Sequence, residues 1–251
     1  MRAHFNPILY LCYLIFAMAL FPGCAARGPV LIQNSEKDFT ALKNSRVGVA
    51  FFAPDKRVLF TEQIYLVFGY SEKVSYHAYE GIWDPIPVLQ DKVSGELNAK
   101  YQITPIRLNE IMRPEAFSAM SQFCENNYKQ NRNRIKGVVH PDDFMKERLP
   151  VNILDELKAI NIEYFLEVYL AAITYYDPAH WDWILCGVGT YSRLNRVSDG
   201  SIVWLNNSGG SFILKNLTSL TELEKNDMAL LKQGYNEAVS RGEVLKGFAP
   251  Q

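Results

Sequence analysis

Residues 161–215 constrain the fold of this chain most. "NIEYFLEVYLAAITYYDP" alternates, with Ile162, Tyr164, Leu166 and Val168 on one side and Glu163 and Glu167 on the other. Successive strand residues point to opposite faces, so this period of two describes an antiparallel strand with one face buried and one wet. "WDWILCGVGTYSRLNRV" continues the pattern, and Ser198-Asp199-Gly200-Ser201 supplies the Asp-Gly signal of a tight hairpin before "SIVWLN". Asn206–Gly210 is expected to bend or bulge before "SFILK" extends or returns the last strand. A chain holding three such runs in succession must build a meander and then cover its apolar face.

The rest of the sequence supplies the cover. "RVGVAFFAP" places Val47, Val49 and Phe51 on one face and Gly48, Ala50 and Phe52 on the other, which suits a central strand buried on both sides. "RVLFTEQIYLVFGY" and "KVSYHAYEGIW" are rich in β-branched and aromatic residues and predict two strands with a turn near "GYSEK". The period changes at "DPIPVLQDKVSGELNAKY", where Ile86, Leu89, Val93 and Leu97 recur at helical spacing. A short strand at "YQITPIRL" precedes a helix that opens with Pro114 and carries Phe117, Met120 and Cys124 on one stripe. Short helices are expected at 142–148 and 151–160. A closing helix, with Ser219 and Glu222 at capping-box spacing, stops near Gly242. The fold class is therefore mixed α/β: a central mixed sheet with a C-terminal antiparallel meander, helices packed on it and a closing C-terminal helix.

The first residues read as an address. "MRAHFNP" holds Arg2 and no acidic residue, and the apolar run from Ile8 to Leu20 is shorter than the roughly 20 residues a membrane-spanning helix needs. It fits the central segment of a secretory signal, and the small residue Gly23 stands directly before Cys24. Leu20 to Cys24 resembles the lipobox of bacterial lipoproteins, departing from it at Phe21 and Pro22. The resemblance implies that Cys24 is acylated, that residues 1–23 are removed, and that the membrane holds the chain through lipid. Acyl chains contribute about 0.8 kcal/mol per buried methylene. Ala25 stands where an Asp signals inner-membrane retention in enteric-type bacteria, so the resemblance implies the outer membrane, facing the periplasm. Domains are expected as 1–23 signal peptide, 24–44 lipidated tether and 45–251 a single α/β domain.

A second resemblance covers most of residues 45–240. "SRVGVAFFAP" resembles the opening strand of small α/β domains of periplasmic lipoproteins related to the curli-secretion channel lipoprotein and to the N-terminal domain of the Tol-system translocation protein. "LKAINIEYFLEVYLAAI" is similar to their later helix-then-strand passage, and "YSRLNRVSDGSIVW" to their closing hairpin. The likeness implies an accessory or assembly factor that binds an envelope protein partner. The sequence departs from the channel-forming members in lacking long amphipathic hairpins, residues 58–80 being the one stretch open to question.

Little in the sequence points to catalysis. His77, His140 and His180 are dispersed, with no metal-ligand spacing, and no metal or cofactor is expected. Cys124 with His140 makes a poor nucleophile–base pair, since a mid-helix thiol lacks an electropositive turn. No G-x-S-x-G elbow occurs, Gly209-Gly210 lacks the lysine of a phosphate loop, and Asp142-Asp143 is accounted for by a helix N-terminus. Without Arg2 the mature chain has 25 basic against 27 acidic residues, and the cluster Lys129, Arg132, Arg134 and Lys136 is better read as a solvated helix end than as a nucleic-acid footprint. In an oxidising compartment Cys124 and Cys186 are candidates for a disulfide, with buried free thiols the alternative. "TYYDPAHWDW" gathers Tyr175, Tyr176, Trp181 and Trp183 as a candidate interaction patch, with cross-strand packing the competing explanation. A non-enzymatic, partner-binding envelope lipoprotein is expected. The alternative is a lipid-anchored enzyme or small-ligand binder whose site is assembled from distant residues.

Overall fold

The computed structural model describes residues 36–67, 69–133, 148–178, 181–217 and 219–248. The elements run α1 (Glu36–Lys43), β1 (Val47–Phe52), β2 (Arg57–Leu66), β3 (Gly69–Ala78), α2 (Ile86–Tyr101), β4 (Ile106–Arg107), α3 (Leu108–Ile111), α4 (Pro114–Asn133) and α5 (Val151–Ala159). The long strands β5 (Tyr164–Asp177), β6 (Trp183–Arg196) and β7 (Ile202–Lys215) follow, then a 3-10 turn (Leu220–Glu224) and α6 (Lys225–Arg241). The short helix expected at 142–148 falls largely outside the described residues.

One seven-stranded mixed sheet organises the molecule. β5, β6 and β7 form the antiparallel meander. β1 and β2 share one edge of β5 in succession, both parallel to it: β1 pairs with Tyr164–Tyr169 and β2 with Ile173–Asp177. Beyond β1 lies the two-residue β4, and beyond β2 lies β3. β1 is interior, flanked by β5 and β4.

Both faces of the sheet are apolar at the β1 end. Val47, Val49, Leu166, Val168, Leu194 and Trp204 pack beneath α2 and α6, where Leu89, Val93 and Leu97 recur every fourth residue, as a helix stripe must. Ala50, Phe52, Phe165 and Tyr169 pack on the other side against Met120, Cys124 and Tyr128 of α4 and Ile153, Leu154 and Leu157 of α5. α2 begins where the Asp84 carboxylate accepts the Ile86 N–H at 3.0 Å, and ends at a left-handed Gln102 (φ 59°).

Four local expectations change. Leu66 pairs with Gly69, so the β2–β3 connection lies at residues 67 and 68, ahead of "GYSEK". β7 runs unbroken through Asn206–Gly210. The glycines serve close approach there: a Cβ on Gly210 would lie 1.9 Å from the Ala238 carbonyl oxygen of α6. Ser219 makes no side-chain cap, and its Oγ pairs with Thr221 Oγ1 at 2.8 Å while the chain starts as a 3-10 turn. Glu167 is fully buried on the face expected to be wet, because α4 and α5 cover it.

Candidate interaction surface

Among the described residues, the helices leave half of one face bare. Side chains directly opposite in an antiparallel ladder share a face, and the register puts Leu59 with Tyr76, Thr61 with Val74, and Tyr65 with Tyr70. Thr61 continues across to Tyr176, then Leu185, then Ile213. Residues of this face are half-buried or exposed in every strand, while their neighbours on the opposite face, Val58, Phe60, Tyr175, Ile184, Cys186 and Leu214, are buried. Tyr65, Tyr70, Val74, Tyr76 and Ile213 are 44 %, 51 %, 50 %, 53 % and 44 % exposed. Such a cluster of apolar groups is the kind of surface that meets a partner. The β2–β3 hairpin also overhangs: β2 leaves β5 after Glu62, and Leu66 and Val67 at its tip are 58 % and 91 % exposed.

A cavity lies on the covered side of the same hairpin. It measures about 190 Å³ and is lined by Val58 and Phe60 of β2, His77, Ala78 and Tyr79 at the end of β3, Ile82, and Glu224, Met228 and Leu231 at the start of α6. The exposed members His77, Ala78, Ile82 and Glu224 set its mouth between the end of β3 and the start of α6. His77 Nδ1 meets Glu224 Oε1 at 2.7 Å, and the imidazole stands edge-on to Phe60 with ring centres 4.6 Å apart. Opposite, Asn226, Asp227 and Met228 hold left-handed backbone (φ 52°, 56° and 57°), a conformation costing non-glycine residues roughly 1–2 kcal/mol each.

The aromatic patch expected from "TYYDPAHWDW" divides between the faces. Tyr175 is fully buried and donates its hydroxyl to the Leu231 carbonyl, so it belongs to the core. Burial drives its phenol far above the ordinary range. Tyr176 points to the bare face, and desolvation, then Glu72, raises its phenol. Trp181 is half exposed and sits 6.0 Å from the half-buried Trp183. Cys124 and Cys186 are free thiols on opposite sides of the sheet, the first beneath α4 and the second beneath α6, so the sheet itself separates the expected disulfide partners. Burial pushes Cys186 up to about 12 and Cys124 well above a normal thiol. Cys24, His140, His180, Arg134, Lys136, Asp142 and Asp143 lie outside the described residues.

Sequence reasoning missed a buried polar cluster. Glu167 and Arg193 stand directly opposite on β5 and β6, both with no exposure. The guanidinium donates from Nε to Oε1 at 3.0 Å and from Nη2 to both carboxylate oxygens at 2.8 Å. Asn195 Nδ2 donates to Oε1 at 2.6 Å and the Tyr169 hydroxyl to Oε2 at 2.5 Å. Cys124 Sγ lies 3.9 Å from Oε2. The carboxylate is saturated with donors and sealed, which suits a structural anchor. Opposite polar residues at one ladder position were the available signal, once the register is known. Among the described residues no group of His, Cys, Asp or Glu is arranged to hold a metal ion, and no helix is long and apolar enough to cross a membrane.

No protein-family description matches the chain, and no curated protein does. Solved structures align along most of it. The chain is similar to the PelC dodecamer from Paraburkholderia phytofirmans at 12 % identity, over 89 % of this chain and 98 % of that one, with a TM-score of 0.39. It is similar to a lipoprotein from Neisseria meningitidis at 11 % identity, over 75 % and 96 %, with a TM-score of 0.31. The LpoB C-terminal domain from Salmonella enterica aligns at 11 % identity over 72 % and 96 %, with a TM-score of 0.24.

Proposed function

We propose that this chain is a lipid-anchored envelope lipoprotein, held through Cys24 at the periplasmic face of the outer membrane, that works as a non-enzymatic accessory factor by binding a protein partner. The bare half-face of the sheet, with its overhanging hairpin, carries the reading. A sheet exposing Tyr70, Val74, Tyr76 and Ile213 on one surface keeps apolar area in water that a second protein gains by covering. The N-terminal residues supply the anchor: a short apolar run, then Gly23 and Cys24, with Ala25 beyond.

The cavity beside His77 and Glu224 favours a second reading, a small-ligand site, since two titratable groups converge there. Its 190 Å³ is below the roughly 300–1,000 Å³ of ordinary ligand pockets, so the partner reading is preferred.

Intact-mass measurement of the membrane-extracted protein beside Cys24→Ser, with inner and outer membranes separated, tests the anchor. Loss of residues 1–23, added acyl mass at Cys24 and outer-membrane recovery are expected, with all three absent from the variant. An unmodified chain, or a cut elsewhere, removes the envelope reading. Photo-crosslinking from position 213 on the bare face tests the partner, and absence of any adduct in the native envelope counts against it.

A further inference from the structure

The strand at the rim of the bare face has an unused backbone edge. Among the described residues β3 pairs with β2 alone along all ten of its residues. Outward N–H and C=O groups of such an edge are a template for one more strand. β7, the other long edge, has its middle against α6 and the chain beyond: Asn206 Nδ2 donates to the Val244 carbonyl at 2.8 Å, and Gly210 lies beneath Ala238. β4 has only two residues. β3 is therefore the edge left with room.

The cavity beside it says what kind of strand fits. An apolar cavity near 150 Å³ accepts a benzene ring, so about 190 Å³ accommodates a single aromatic or branched aliphatic side chain. The cavity opens between the end of β3 and the start of α6, beside the His77–Glu224 pair and on the face shared by Val58 and His77. An incoming strand sends alternate side chains to that face and the rest toward Tyr70, Val74 and Tyr76. A second copy of this chain adding its own β3 antiparallel, with its faces preserved, brings Ser71, Lys73, Ser75 and His77 to the cavity side. None of these is an apolar group of the size required.

We infer that β3 receives an extended segment of a protein partner as an additional strand, with one apolar or aromatic side chain of that segment seated in the cavity between β3 and the start of α6. Main-chain hydrogen bonds supply adhesion and the cavity supplies selectivity, the division of labour in strand addition generally. The inference rests on the partner-binding reading above and names the partner's conformation.

The test places a photo-crosslinking amino acid singly at positions 71, 73 and 75 of the full-length chain in its native envelope, with position 213 as the bare-face comparison, and maps each attachment point by mass spectrometry. The expected result is one partner, with attachment points that move about two residues along its sequence for each step of two along β3. His77→Trp fills the cavity mouth from an exposed edge position; with folding verified by circular dichroism, it is expected to lower the position-75 adduct at least tenfold. Attachment to a second copy of this chain, attachment points in no order, or undiminished adducts in His77→Trp overturn the inference. Adducts from position 213 with none from β3 leave the partner reading standing and remove the strand. Adducts from neither remove both.

Discussion

Removing the Glu167 carboxylate while leaving Arg193 in place should be among the most damaging single changes available to this fold. Glu167 accepts three hydrogen bonds from Arg193, one from Asn195 and one from Tyr169, and both charged side chains have no exposure. Breaking a buried pair strands the remaining charge and costs about 3–5 kcal/mol, whereas replacing both members with apolar groups is often neutral or stabilising. Glu167→Gln retains the shape and one acceptor oxygen, so about 3 kcal/mol is expected for it, and Arg193→Met should cost a similar amount. The double variant Glu167→Leu/Arg193→Met removes the stranded charge but orphans the Tyr169 hydroxyl and the Asn195 amide, at about 1–3 kcal/mol each if water stays out. Its loss should still fall well short of the sum of the two singles. Urea unfolding followed by tryptophan fluorescence reads this directly. With a slope of about 2 kcal/mol per molar, each single lowers the midpoint by roughly 1.5 M. Single variants within about 0.5 kcal/mol of wild type, or a double variant equal to the sum, would show that the pair is not coupled and that the cluster does not anchor α4 to the sheet.

Two further outcomes follow from packing and from protonation. Gly210→Ala is expected to destabilise by at least about 3 kcal/mol, because its Cβ would meet the Ala238 carbonyl oxygen at 1.9 Å. Gly95→Ala, in the middle of α2 with nothing within 4 Å, should stabilise by roughly 0.5–1 kcal/mol and raise Tm by about 2–3 °C. Equal responses at the two positions in a thermal melt would refute the close approach of α6. Alkaline solution should unfold the protein: burial holds Cys186 at about 12 and raises Cys124, Tyr175 and Tyr235, so the unfolded chain loses protons that the folded chain keeps. That stability is fully present below the ordinary thiol pKa of about 8.5 and is lost as pH rises toward the Cys186 value of about 12, about 3 kcal/mol from Cys186 by pH 10.5. Urea midpoints unchanged between pH 8 and pH 10.5 would contradict it, as would rapid reaction of either thiol with a disulfide reagent in the native state.

Periodicity made the meander, β1, α2, α4 and α5 legible, because each depends on which side of an element is apolar. Coverage was less legible. Glu163 and Glu167 read alike as the wet side of one strand, yet Glu163, just ahead of β5, is exposed and Glu167 is sealed beneath α4. Alternation reports that two faces differ in polarity and does not say whether water or Arg193 meets the polar one. The same limit explains Gly209-Gly210, where glycine suggested a bend and the causes are the Val188 carbonyl of β6 against Gly209 and, at Gly210, a helix brought close from some 30 residues downstream.

The aromatic patch shows how one residue of register decides a surface. Leu166, Val168 and Leu170 face α2 and α6, and strict alternation from them would send Tyr176 to the core and Tyr175 to the bare face. An irregularity between Leu170 and Ala172 inserts a residue into β5 and reverses the parity. Ile173 and Tyr175 therefore join the core, and Tyr176 lines up with Thr61 and Leu185 on the bare side. A one-residue shift exchanges the faces of everything beyond it. Tyr128 of α4 donates its hydroxyl to the Ala171 carbonyl at 3.1 Å, inside that irregularity, so the helix that covers one half of the sheet also binds the point where the other half turns its tyrosine outward. The buried core and the candidate interaction surface thus share a determinant in β5 that composition and local pattern do not contain.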